Sequence, residues 1–109
     1  MPEQRWSSAT ALALLPADAE RPRYAEPFTH GSMRLGIYAP RGHDPQQPHE
    51  QDELYFIVAG SGTFVNGEER TSFGPGDALF VAAGSEHRFE DFSDDLATWV
   101  VFWGPAGGE

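Results

Sequence analysis

Gln47-Pro48-His49-Glu50-Gln51-Asp52-Glu53 leads directly into the apolar run Leu54-Tyr55-Phe56-Ile57-Val58-Ala59, and a second apolar run, Ala78-Leu79-Phe80-Val81-Ala82, ends in Ala83-Gly84-Ser85-Glu86-His87. Both runs have the length and side-chain content of strands. The polar residues at their ends are of the kinds that hold metals. His49 and Glu53 are four residues apart, and a fully extended chain would separate them by about 13 Å. Ligands of one ion must instead converge, to about 2.0–2.2 Å for zinc. The spacing therefore predicts a corner between them, at the polar Gln51-Asp52 pair. His87 follows a turn signal after the second run. Two imidazoles and one carboxylate on neighbouring strands of a small barrel would make a facial triad, with positions left for water or substrate.

Outward from these runs the same pattern continues. Met33, Leu35, Ile37 and Ala39 oppose Arg34, Gly36 and Tyr38, the alternation of a strand with one face on a core. Pro40 to Pro48, with Gly42, Asp44 and Pro45, reads as a loop that delivers the chain to His49. Downstream, Gly60-Ser61-Gly62 ends the long apolar strand, Asn66-Gly67 signals a hairpin, and Gly74-Pro75-Gly76-Asp77 is a tight turn. His87 to Phe92 and Leu96 to Trp103 supply the last two strands, joined across Ser93-Asp94-Asp95. Short strands separated by frequent turns, without long helical patterns, describe an all-β sandwich or barrel.

The chain divides into an N-terminal extension, residues 1–30, and a barrel, residues 31–109. Within the extension, Arg21 to Gly31 is rich in Pro and charge and reads as an irregular, surface-hugging approach anchored by Tyr24 and Phe28. Ala9 to Leu15 followed by Ala17-Asp18-Ala19 imitates a secretory leader, but Glu3 beside Arg5 and the interruption Trp6-Ser7-Ser8 depart from that template. The segment is read as a short helix or edge strand packing on the barrel or on a partner subunit, and the protein as cytoplasmic.

At this point the sequence resembles the cupin family. The family's first signature runs Gly, five residues, His-x-His, three or four residues, Glu, six residues, Gly. Here Glu53 and Gly60 keep the last spacing, His49 takes the place of the second His, Gln47 stands where the first is expected, and the leading Gly is displaced to Gly42. The second signature runs Gly, five residues, Pro-x-Gly, two residues, His, three residues, Asn. It is met by Gly76, Ala82-Ala83-Gly84, His87 and Asp91, with Ala82 for Pro and Asp91 for Asn. The resemblance covers residues 33–103 and implies a double-stranded β-helix, or jelly-roll, barrel. It also implies a divalent metal ion (Fe, Mn, Ni or Zn) held by His49, Glu53, His87 and Gln47, with Glu53 also the catalytic candidate. Tyr38, Tyr55, Phe89 and Trp99 would fill the barrel and shape the pocket.

Composition narrows the chemistry. With no Cys, disulfides and thiolate catalysis are excluded. All seven basic residues are Arg, so no lysine Schiff base can form. A formal net charge of -10 disfavours nucleic acid and anionic membranes, and no run approaches transmembrane length. Leu54, Phe56 and Val58 oppose Glu53, Tyr55 and Ile57, and Trp99, Val101 and Trp103 oppose Val100 and Phe102, so two strands are apolar on both faces. An outer face must be covered, most simply by a second copy of the chain, which predicts a homodimer.

Three functions compete at this stage. One is a metal-dependent enzyme acting on a small oxygen-rich molecule, of dioxygenase, isomerase or polyketide-cyclisation type. The others are a non-catalytic module binding a metal or small ligand, and a structural barrel with a degenerate site. Arg34 or Arg41 could pair an anionic substrate, although a solvated barrel rim is the default for both. His43 lies in the loop before the site, and a lone loop histidine is usually solvated.

Overall fold

The computed structural model describes residues 5–17 and 21–109. Residues 1–4 and 18–20, which carry part of the leader-like pattern, lie outside the described residues. The elements are α1 (Ser8–Leu12), β1 (Tyr24–His30), β2 (Met33–Tyr38), β3 (Asp52–Ala59), β4 (Gly62–Asn66), β5 (Glu69–Phe73), β6 (Ala78–Val81), β7 (His87–Glu90) and β8 (Ala97–Trp103). Five strands form one sheet in the order β1-β2-β8-β3-β6, and three form another in the order β5-β4-β7. Every pairing is antiparallel. This is the all-β, double-stranded jelly roll that the turn spacing and the resemblance imply.

The turns fall where the sequence puts them. Asn66 pairs with Glu69 across the hairpin, and Gly67 takes the positive φ (62°) such a turn requires. Asp77 closes the next turn by accepting the Gly74 N–H at 2.8 Å. α1 begins at Ser7, whose hydroxyl accepts the Thr10 N–H at 3.1 Å and so caps the helix. The helix packs on β1 and β2, with Ala11 buried and Trp6 against Phe28. No described helix is long and apolar enough to cross a membrane.

Two local expectations are corrected. Tyr24–His30, read as irregular and placed with the extension, is the first strand of the large sheet. Its proline is tolerated because β1 is an edge strand and Pro27 falls inside a register shift between Ala25 and Phe28, where a missing N–H costs no ladder bond. The second correction concerns β2, whose face toward the three-stranded sheet carries Arg34, Gly36 and Tyr38 rather than the apolar alternates. Tyr38 belongs to the central cluster, and the Tyr24 ring lies so close over Gly36 that an added Cβ would meet its hydroxyl at 2.3 Å. Ile37 is nonetheless fully buried, on the opposite face of the sheet.

Between the sheets the core is aromatic. Phe89 on β7 meets Tyr55, Phe64 and Phe73 at centroid distances of 5.0, 5.0 and 5.2 Å, two of these edge to face. Leu96 closes one end of the core, fully buried, with its backbone against Gly60. Gly60 has φ of 92°, and a Cβ there would lie 2.6 Å from the Leu96 Cα. Both backbone conformation and space exclude a side chain, so Gly60→Ala is expected to lower the unfolding free energy by about 3 kcal/mol. Urea unfolding of the variant beside the unmodified protein measures it, and a loss within experimental error would contradict this account of the corner.

Candidate metal centre

The corner expected between His49 and Glu53 is built by Gln51 and Asp52. The Gln51 amide donates to the carbonyls of Ser32 (3.0 Å) and Gly104 (2.9 Å) and accepts from Arg34 Nε (3.1 Å). Asp52 accepts the N–H groups of Ala83 (2.9 Å) and Glu109 (3.1 Å), which hold its carboxyl below the usual range. The Gly84 N–H donates to the His49 carbonyl at 2.8 Å. The two sequence segments thus lock together through their backbones. Glu53 points into the barrel from β3, opposite Phe102 of β8 and Val81 of β6. His87 opens β7 of the other sheet, paired with Asn66.

His49, Glu53 and His87 converge, with one ligand atom of each lying within 4.8 Å of the others. Glu53 Oε1 lies 2.9 Å from His87 Nε2 and 3.7 Å from His49 Nε2. Glu53 is fully buried, and both its oxygens and His87 Nε2 lack a hydrogen-bond partner. The 2.9 Å contact is close but misaligned, so it acts through charge rather than as a hydrogen bond. On its other side His87 Nδ1 donates to the Ser85 carbonyl at 2.9 Å. That bond leaves a lone pair on Nε2 of the neutral ring, aimed at a carboxylate that also offers lone pairs. Such an arrangement calls for a cation between the groups, either a proton on the imidazole or a metal ion. Two imidazole nitrogens and a carboxylate are a donor set suited to a divalent transition metal, so the residues fit the group that the resemblance implies.

The two histidines titrate in opposite directions. Burial works against the His87 imidazolium, but the Glu53 carboxylate and the Ser85 carbonyl outweigh it and its pKa is raised. Burial holds His49 below its ordinary value; Glu53 opposes this, and His87 reinforces it. Burial, then the charge of Glu53, pushes the Tyr55 phenol well above its usual value, so that the hydroxyl keeps its proton.

Gln47 is exposed, and the amide that reaches the site is that of Gln46. Gln46 Nε2 donates to Asp44 Oδ2 at 2.8 Å, which turns its Oε1 toward His49 Nε2 (3.2 Å) and the Tyr55 hydroxyl (2.9 Å). Asp44 also accepts from the Tyr38 hydroxyl (2.5 Å) and from the Phe89 N–H (2.8 Å), tying the incoming loop to β2 and β7. Sequence reasoning missed both Gln46 and Asp44. The only signal was their position inside a Pro-flanked loop, which predicts no side-chain direction.

Of the pocket residues named from sequence, Tyr38, Tyr55 and Phe89 face the barrel interior and are buried. Trp99 does not. It pairs with Ile37 and Phe56 on the outer face of the sheet, because β8 turns Thr98, Val100 and Phe102 inward. A cavity of about 250 Å³ opens beside His49, lined by Tyr24, Arg34, Tyr38, Gln46, Val100 and Phe102, among others. Arg34 sits 4.4 Å over the Phe102 ring and pairs with Glu26 at 3.1 Å. His43 is exposed, away from the three ligand candidates.

Comparison with known proteins agrees with this fold. An uncharacterised protein of Streptomyces coelicolor, SCO3923, is 38% identical over 84 residues, spanning 75% of this chain and 80% of that protein. The dimethylsulfoniopropionate lyase DddQ of Ruegeria pomeroyi is 31% identical over 81 residues, spanning 72% of this chain but only 40% of the lyase. A Klebsiella pneumoniae protein with a double-stranded β-helix domain superposes with a TM-score of 0.77, covering 98% of this chain and 95% of that one at 12% identity, which shows a shared fold. The cupin-domain family model, Cupin_2, matches residues 34–103, a stretch that contains both halves of the His49, Glu53 and His87 group, and the chain belongs to the cupin family.

Proposed function

We propose that this chain is a metal-dependent enzyme. His49, Glu53 and His87 hold one divalent iron, manganese, nickel or zinc ion, and a small oxygen-rich organic molecule binds in the adjoining cavity. The observation that carries this reading is the fully buried Glu53 carboxylate, without a hydrogen-bond donor and 2.9 Å from a histidine nitrogen whose ring proton is committed elsewhere. When bound, the ion would polarise a substrate oxygen as a Lewis acid. The chain's own residues do the rest. Gln46, fixed by Asp44, presents its carbonyl oxygen beside His49, and the Tyr55 hydroxyl is kept protonated as a donor. Tyr24, Val100 and Phe102 line the cavity. Glu53, beside both imidazoles, would take and return a proton. Among dioxygenation, isomerisation and polyketide cyclisation, the proton-moving reactions suit this carboxylate best. The lyase name of the Ruegeria relative supports the same class.

The protein is further proposed to work as a homodimer. One apolar row, Phe28, Leu35, Val101, Leu54 and Phe80, runs across all five strands of the large sheet on its outer face. Beside that row Phe56 is 43% exposed, and within it Phe80 is 53% exposed. Apolar area of this extent supports a covering partner.

Three outcomes test these readings. Elemental analysis of the purified protein should find one divalent transition metal per chain, lost in His87→Ala, weakened in Gln46→Ala and unchanged in Gln47→Ala. Circular dichroism should show that the fold survives in all three variants. Absence of metal even after reloading would end the enzyme reading.

The metal-free protein should be most stable near pH 6.5 as far as this pair decides. The raised pKa of His87 contributes stability that is complete below its unfolded value of about 6.5 and is lost as pH rises through the folded value. The lowered pKa of His49 contributes stability that is present above about 6.5 and is lost as pH falls through its folded value. Urea midpoints across this range should show His87→Gln flattening the alkaline limb and His49→Gln the acid one; unchanged limbs would contradict the assignment.

Sedimentation velocity should find a dimer that Phe56→Asp and Phe80→Asp together convert to monomer. A monomeric unmodified protein would refute the interface.

A further inference from the structure

The chain carries seven arginines among 17 acidic residues. Arg34 is paired with Glu26, and both Arg70 and Arg88 are paired with Glu90. Arg23 and Arg41 are different: among the described residues, neither has a carboxylate within ion-pair reach. Both are held by backbone carbonyls instead. Arg23 Nε donates to the Ala39 carbonyl at 2.7 Å, and Arg41 Nη1 donates to the carbonyls of Ala39 (3.2 Å), Pro40 (3.1 Å) and Leu96 (3.4 Å). Because they share the Ala39 oxygen, two guanidinium groups lie side by side. The Arg23 pKa is lowered by burial and, in second place, by the charge of Arg41. The two Arg23 Nη groups, and Arg41 Nε and Nη2, are left without a protein acceptor among the described residues.

These side chains line a cavity of about 570 Å³, together with Arg21 and His43. Tyr38, Pro22 and Pro45 belong to its wall and also to the wall of the 250 Å³ cavity beside His49. The two cavities thus adjoin at Tyr38, with the paired arginines lining one and His49 the other. Like charges brought together without a counter-ion are unfavourable, and forked guanidinium donors match the oxygens of carboxylate and phosphate in geometry. A net charge of -10 repels large polyanions, which leaves a small ligand as the occupant.

We propose that Arg23 and Arg41 form an anion subsite that clamps a carboxylate or phosphate group of a small ligand, whose other end lies past Tyr38 in the cavity at His49. The subsite stands on the arginine geometry alone; its role as a substrate anchor rests on the metal-centre reading.

The test is a titration of the protein as purified, followed through the arginine Nε–H resonances, with inorganic phosphate and separately with succinate. Saturable shifts are expected at Arg23 and Arg41 and not at Arg70, and the anion effective at lower concentration names the ligand class. Arg23→Gln and Arg41→Gln should each weaken binding about tenfold, as loss of a charge-assisted hydrogen bond does, with Arg70→Gln as the unaffected control. The unmodified protein reads the result even if a variant fails to fold. Repeating the phosphate titration on His87→Ala separates the two readings, since the subsite should keep its affinity where the metal is lost. Absence of a saturable response at Arg23 and Arg41 in the unmodified protein, or binding indifferent to both substitutions in folded variants, would overturn the proposal.

Discussion

The carboxylate of Glu53 is the constraint around which the rest of this barrel is arranged. It is fully buried, and among the described residues neither oxygen has an aligned hydrogen-bond partner. A carboxylate in such a place costs several kcal/mol unless a cation faces it. The His87 imidazolium, or a metal ion held together with His49, would supply that cation. His87 approaches from one sheet, Glu53 from the other and His49 from the loop between β2 and β3, so the site exists only when both sheets have closed on each other.

Asp44 is the second organising group. With one carboxylate it engages the Tyr38 hydroxyl, the Gln46 side chain and the Phe89 N–H, which belong to β2, the loop and β7. The loop is thereby tied to β2 and β7. Gln46 is turned toward His49, and Tyr38 is held where the metal-side cavity meets the arginine-lined one. Residues that hold other residues in place in this way determine geometry without touching a substrate.

Much of the fold was legible because strands and turns leave periodic and local marks. Asn66-Gly67 and Gly74 to Asp77 lie at their turns, and the two doubly apolar strands, β3 and β8, lie side by side in the large sheet. The corner at Gln51-Asp52 was legible from the bare requirement that His49 and Glu53 converge. What escaped has a physical reason in each case. Pro27 disguised an edge strand as an irregular segment, because a proline tolerated at a bulge reads like one that breaks a strand. Trp99 was assigned to the pocket because alternation separates two faces without saying which is inside, and on β8 both faces are apolar.

By itself the sequence determined the strands from β2 onward, the turns, the corner before β3 and the three metal-ligand candidates, since each rests on residue type, short spacing or signature match. Tertiary structure alone decided which face of β2 and β8 looks inward, that Gln46 rather than Gln47 reaches His49, and that Arg23 and Arg41 share the Ala39 carbonyl. Loop side chains have no period to read. Their directions are set by distant backbone groups and by Asp44, which lies next to them only once the two sheets have packed.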